Sequence, residues 1–434
     1  MNREQCLQQL RESFTFQMSL GSKELFHSNF LQWLSVIDWE GFLTVLHKLS
    51  RVPEFWWEKN VKCNVGVNGI YEGNPMPFHP DNENVEVRRE CNDYDLSVYI
   101  LTGYTKPRKG NDPQKKWCPV FVLENKVKSM PYQYQLDGYA NKAFKEWKVG
   151  KKKKELSRLW KKNPVSFVLL TLFDEVTIDK SQIDDSDIKV TWEKCNYNYL
   201  SDILENIFTN KEEDLTNKVI GDYCKFIKAL HGLSQSDDWK VNSTMDYQNQ
   251  MLRGGEAEKK LRIADLREKV HHERLLKLLE GKLNVVFPSQ CEHWDKKKEF
   301  LNRDKTTRYN TEMVFYNTSF SRGLGITEVF VIINESYRLM IELQGNQYRK
   351  CLISHPIPEK TDADFKEMHK RIKEGLSNSI WPNYKLQHSF GPHFKYDYIE
   401  LEKIGQNVVD DILNKAVDDI ILIMKNMDKL KKLT

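Results

Sequence analysis

The spacing of apolar residues divides the chain into helical and extended stretches. Phe26, Phe30, Trp33, Leu34 and Ile37 recur at steps of three and four, which puts them on one stripe of a helix. Ser22, directly after Gly21, is suited to cap that helix, and a second apolar-aromatic helix follows over residues 39–57. Residues 74–84 are rich in Pro and Asn and read as a loop. The pattern then changes to period two. Residues 85–89 and 95–100 alternate polar with apolar, and residues 117–126 (WCPVFVLENK) form an apolar run with a charged end. Between the last two lies Gly110-Asn111-Asp112-Pro113, a strong turn signal, so these strands are expected to pair as an antiparallel hairpin.

Pro131 suits a first helical position with Ser129 as its cap, and the helix it opens runs to about Trp147. Residues 165–173 (VSFVLLTLF) have the unbroken apolar character of a strand buried on both faces. Helices over residues 197–208 and 213–230 close the first domain, and the polar, turn-rich residues 232–242 mark a boundary. Beyond it the pattern predicts a charged helix over 256–283, strands over 311–316, 328–333 and 337–343, and helices over 362–376 and 407–430. The expected organisation is an α/β first domain over residues 1–235, a linker over 236–257, and an α+β domain over 258–434 serving recognition, dimerisation or regulation. A chain of 434 residues is of the length that two separate cores require.

Composition narrows the class. With 40% hydrophobic and 12% aromatic residues there is enough bulk for two cores, which excludes global disorder. The balance of 66 basic against 62 acidic residues neither demands nor excludes a phosphate-bearing partner, because such a footprint depends on local clustering. The eight cysteines are scattered, with no C-x-x-C pair and no zinc spacing, as expected of reduced thiols in a cytoplasmic protein. The longest apolar stretch is about half what a bilayer requires, so no membrane partner is expected.

The hairpin carries the candidate chemistry. Its turn is about equidistant from Asp95 and from Glu124 and Lys126, so a regular register sets Asp95 across from them. Period two places Glu124 and Lys126 on one face and Leu123 and Asn125 on the other. Two carboxylates and an ammonium then converge at one end of a sheet. Such carboxylates suit a hard divalent cation with coordination positions left for water and phosphate, and a lysine alongside counters phosphate charge. Asp93 lies two positions earlier and shares the face of Asp95, so either is a candidate; Asp95 is favoured because it opens the apolar strand.

The runs NDYDLSVYI, VFVLENKVKS and QYQLDGY resemble the PD-(D/E)XK nuclease superfamily, whose fold is restriction-endonuclease-like. The chain is especially similar to a bacterial branch opening with an E-x-x-H-S helix, here Glu24-Leu25-Phe26-His27-Ser28. The resemblance covers residues 20–175 well and the rest loosely. It implies a restriction-endonuclease-like core, a mixed central sheet flanked by helices, ahead of the α+β domain. It also implies a nuclease using Mg²⁺ or Mn²⁺, with Asp95, Glu124 and the Asn125 carbonyl as metal ligands and Lys126 as the motif lysine. Glu24 would be an accessory acidic group, and Gln135 with Tyr139 would form the glutamine-helix extension that touches substrate or braces the site. The implied partner is nucleic acid, DNA ahead of RNA, in defence against foreign DNA, and a homodimer is compatible with cutting both strands. The aspartate lacks the preceding proline of the family pattern.

Other readings remain beside this one. The same fold serves as a catalytically silent binding module, and the same site cleaves RNA. His27 reads as a packed histidine rather than a base. The lysine-rich residues 148–162 and the hairpin tip, with Lys106, Arg108, Lys109, Lys115 and Lys116, are divided evenly between solvated loops and phosphate contacts. Trp381, Tyr384, Phe390, Phe394, Tyr396 and Tyr398, with His388, His393, Lys385 and Lys395 among them, read as core rather than as a base-stacking surface.

Overall fold

The computed structural model describes residues 2–19, 24–58, 84–104, 115–127, 133–148, 160, 164–172, 180–183, 188–208, 214–244, 246–247, 255–294, 312–321, 324–354, 361–379, 387–391, 393–401 and 408–433. The chain divides into two compact units, Met1–Gln235 and Ser236–Thr434.

The first unit is a mixed sheet with helices on both faces. Its strands are β1 (Val85–Cys91), β2 (Tyr94–Tyr104), β3 (Lys115–Lys126), β4 (Ser166–Thr171), β5 (Lys180–Gln182) and β6 (Lys189–Asn196), in the spatial order β1-β2-β3-β4-β6-β5. The first three form an antiparallel meander, while β3, β4 and β6 run parallel and β5 closes the edge antiparallel to β6. The parallel centre explains the unbroken apolar runs. Val120, Phe121, Val122 and Leu123 on β3 and Val168, Leu169 and Leu170 on β4 are fully buried, because both sheet faces are covered.

Helices α1 (Arg3–Glu12), α2 (Phe14–Met18), α3 (Glu24–Ile37) and α4 (Trp39–Ser50) precede the sheet, α5 (Gln133–Lys148) joins β3 to β4, and α6 (Tyr197–Phe208) and α7 (Leu215–Gln235) follow β6. Of the predicted stripe of α3, Phe30 and Leu34 are buried, Phe26 and Trp33 half-buried, and Ile37 at the helix end is exposed. At the start of α4 the Asp38 carboxylate caps Gly41, where a Cβ would come within 2.6 Å of the Phe208 ring, so only glycine lets α4 approach α6 this closely. Sequence patterning missed α1, α2, β5 and β6, which are short or alternate with many polar residues. Ser22, Ser129, Pro131 and residues 74–83 lie outside the described residues.

The second unit holds a seven-stranded sheet in the order β12-β13-β11-β10-β9-β8-β7. Its strands are β7 (Cys291–His293), β8 (Val314–Ser321), β9 (Leu324–Asn334), β10 (Tyr337–Gln344), β11 (Gln347–Ser354), β12 (His388–Ser389) and β13 (Phe394–Glu400). All neighbours are antiparallel except β7 and β8. Its helices are α8 (Glu256–Lys260), α9 (Ala264–Val286), α10 (Asp362–Ser379), α11 (Val409–Lys425) and α12 (Met427–Leu433), and one sheet face builds the main core with α9, α10, α11 and α12. Two helices expected as continuous are broken, the first around Leu261–Ile263 and the last at Asn426.

The aromatic tract also departs from its core reading. Phe390 is 62% and Tyr398 38% exposed, and only Phe394 and Tyr396 pack against the smaller apolar cluster of this unit. The cause is topological, since β12 and β13 form the sheet edge. Trp381, Tyr384 and Lys385 lie outside the described residues.

On α9, burial pushes the Glu273 carboxyl up to about 8, only partly offset by Lys277. A carboxyl raised in the folded state stabilises the fold below its ordinary range and loses that contribution as pH rises towards 8. Glu273→Gln should therefore stabilise the second unit by about 3 kcal/mol at pH 9. At pH 4 it should change little, which urea unfolding at the two pH values would measure.

Candidate active site

Strand β3 ends where its apolar run meets three polar residues, Glu124, Asn125 and Lys126. Pairing with β2 is in register at Leu96↔Leu123, so Asp95 occupies the next step, level with Glu124. The Asp95 carboxylate accepts a 2.6 Å hydrogen bond from the Asn125 backbone N–H, tying the two strand ends together. The expected alternation holds. Lys126 Nζ lies 2.7 Å from Glu124 Oε1 on one face, and Asn125 turns to the other, where its side-chain oxygen accepts from the Tyr197 hydroxyl of α6.

This ion pair is not a surface bridge. The Glu124 side chain is 2% and the Lys126 side chain 12% exposed. A carboxylate taken out of water requires compensation, and it receives several kinds. Besides Lys126, Glu124 Oε1 accepts from the Gln135 side-chain amide at 3.1 Å and from the Tyr139 hydroxyl at 3.4 Å. Gln135 also donates to the Tyr139 oxygen at 2.6 Å, as residues four apart on one helix face can. Gln135 stands in the first turn of the 16-residue α5, so the helix presents its positive end to Glu124. Burial, then the Glu124 charge, and to a smaller extent Asp95, hold the Tyr139 hydroxyl well above its ordinary range. Both carboxylates therefore act on the same hydroxyl beneath α5.

Asp93 separates from Asp95. Asn92 and Asp93 have φ of 56° and 67° and form the two-residue connection between β1 and β2, a hairpin turn with both residues left-handed. The Asp93 side chain is 73% exposed and pairs with Lys142, so it does not share the position of Asp95. The expectation that the two share a face assumed a continuous strand, which the turn interrupts.

Behind the strand, His27 is fully buried and hydrogen-bonded through Nδ1 to the Tyr223 hydroxyl at 2.9 Å, with its ring 4.8 Å from that of Tyr197. Burial lowers its pKa to about 3, so it is a neutral packing group against the Asn125 face. Glu24 opens α3, but its side chain lies outside the described residues, as do Lys106, Arg108 and Lys109 and the lysines of residues 149–159 and 161–163.

The carboxylates of Asp95 and Glu124 offer oxygen donors of the kind that suits Mg²⁺ or Mn²⁺. Among the described residues no group of three or more His, Cys, Asp or Glu side chains gathers as a metal site. Sequence reasoning found the pair on β3 but missed Asn92, Lys142 and Glu146, which brace the turn before Asp95. The Asn92-Asp93 dipeptide between two alternating runs was the available signal.

A mixed α/β sheet with an acidic and lysine-bearing centre at the end of adjacent strands defines the class of domain. Residues 71–225 match a family model of the PD-(D/E)XK nuclease superfamily. The match includes Asp95, Glu124, Lys126 and Gln135, while the E-x-x-H-S helix precedes it. No curated protein and no solved structure matches the chain. That match suggests a nuclease acting on nucleic acid, in a superfamily whose enzymes typically use divalent metal ions. No helix among the described residues is long and apolar enough to cross a membrane.

Proposed function

We propose that the first unit is a metal-dependent phosphodiesterase that cuts DNA internally. The observation that carries this reading is the buried Glu124–Lys126 pair at 2.7 Å, level with Asp95 on the neighbouring strand. In it, Asp95, Glu124 and the Asn125 carbonyl hold Mg²⁺ or Mn²⁺. When bound, such an ion supplies Lewis-acid polarisation of a phosphate oxygen and lowers the pKa of water.

The chain's own groups do the rest. Lys126 balances Glu124 before substrate arrives and offers its ammonium to the scissile phosphate as negative charge grows there. Gln135 and Tyr139 donate to Glu124 Oε1 and fix the orientation of that carboxylate. The Asn125 N–H does the same for Asp95. Through the family resemblance alone, Glu24 contributes a further acidic group, and the work is defence against foreign DNA, with a homodimer suited to cutting both strands. The described cysteines are all free thiols, in keeping with a reducing cytoplasm.

The test is to incubate the protein with plasmid DNA, linear DNA and RNA in Mg²⁺ or Mn²⁺, beside Glu124→Ala and Lys126→Ala. Wild-type protein should cleave DNA and both variants should not. Equal cleavage by all three would overturn the assignment, binding without cleavage would identify a silent module, and preference for the RNA would change the substrate.

A further inference from the structure

Three consecutive residues ahead of Asp95 are each held by one residue of α5, stepping back along the helix. Asn92 donates through Nδ2 to Glu146 Oε1 and, at 3.0 Å, to the Tyr99 hydroxyl. Asp93 pairs with Lys142, whose ammonium also donates to the Asn92 carbonyl at 3.4 Å. Tyr94 donates its hydroxyl to the Tyr139 carbonyl at 3.2 Å, with the two rings edge to face at 5.7 Å. Gln135 and Tyr139 continue the same stripe to Glu124. Residues 135, 139, 142 and 146 recur at steps of four, three and four, which is one face of a helix.

We infer that Lys142 and Glu146 are positioning residues for the candidate active site: with Asn92 they clamp the β1–β2 turn to α5 and so fix Asp95 against Glu124. The inference rests on the functional reading above for the importance of Asp95, but the clamp has its own observable. Both residues of this turn have positive φ and are exposed, and the strand it launches reaches Asp95 within two residues. Without a restraint, motion of the turn passes directly to Asp95. The helix that supplies the restraint also orients Glu124, so one rigid element sets both carboxylates, as a constellation that tolerates little displacement requires. Glu146 is suited to the task. Its carboxyl is withdrawn from water beside the Arg88 guanidinium, the Tyr99 hydroxyl and the Asn92 amide, and burial raises it to about 7. A glutamine there keeps an oxygen for Asn92.

The experiment follows hydrogen exchange of the Asn125 amide, which donates to Asp95, in metal-free protein. The Leu169 and Leu170 amides of β4 serve as internal reference. In the double variant Lys142→Ala/Glu146→Ala, Asn125 should exchange about tenfold faster while the β4 amides keep their rates. Glu146→Gln alone should stay near wild type. Asn92→Gly, which suits the left-handed turn, removes only the side-chain contact and should also loosen Asn125, giving a second reading if the double variant folds poorly. Binding of Mn²⁺ alone should weaken about tenfold in the same variants. Unchanged Asn125 exchange in both, or equal acceleration at Asn125 and β4, would overturn the clamp. Wild-type protein that takes up no Mn²⁺ sensitive to Glu124→Gln would instead defeat the functional reading, with the exchange data still deciding the clamp.

Discussion

Asp95→Asn is expected to leave the hairpin standing and to lower DNA cleavage by about 10³-fold, or roughly 4 kcal/mol of barrier. The structural half of this expectation rests on the 2.6 Å bond from the Asn125 N–H to the Asp95 carboxylate. An asparagine oxygen accepts the same bond, so the ends of β2 and β3 stay joined and the melting temperature should move little. The functional half rests on charge. Asn keeps the shape and removes one of the two anionic donors on which cation binding depends. Asp95→Leu would lose both, and comparing the two by melting and by plasmid cleavage separates the roles. Cleavage by Asp95→Asn within a few-fold of wild type would remove Asp95 from the chemistry.

Lys126→Met should have effects of similar size by a different route. Removing one partner of a buried ion pair leaves the other charge uncompensated, and such changes cost about 3 kcal/mol or more. Glu124, 2% exposed, retains Gln135 and Tyr139 but loses the ammonium at 2.7 Å. The metal-free variant should therefore melt well below wild type. A divalent cation would then supply the missing positive charge, so added Mn²⁺ should raise the melting temperature more in Lys126→Met than in wild type. Cleavage should stay about 10³-fold down, because the ammonium beside the scissile phosphate is gone. A variant as stable as wild type without metal would mean that the lysine does not balance Glu124.

The legible part of the candidate site came from short-range order. Val120–Leu123 announced a buried strand, the turn signal near Gly110 joined it to the strand opening at Asp95, and period two put Glu124 and Lys126 together. The span 71–225 that matches the superfamily model contains both strands. What failed was of two kinds. Strands with weak patterns escaped, such as β6, whose sequence KVTWEKCN has four charged or amide side chains in eight residues. Aromatic density was mistaken for burial at Phe390 and Tyr398, since hydrophobic content does not reveal whether a strand is central or at an edge.

The sequence by itself put Glu124 and Lys126 on one face of a buried strand and paired that strand with the one opening at Asp95, because strand alternation and turn chemistry act over a few neighbouring residues and need no knowledge of the rest of the chain. Only the tertiary structure decided between Asp93 and Asp95, buried the Glu124–Lys126 pair, and brought Lys142 and Glu146 to the turn at Asn92. The contacts at Asp93 and Asn92 depend on where a helix some 50 residues away comes to lie, and contacts at that separation are set by the packing of whole elements, which no local pattern encodes.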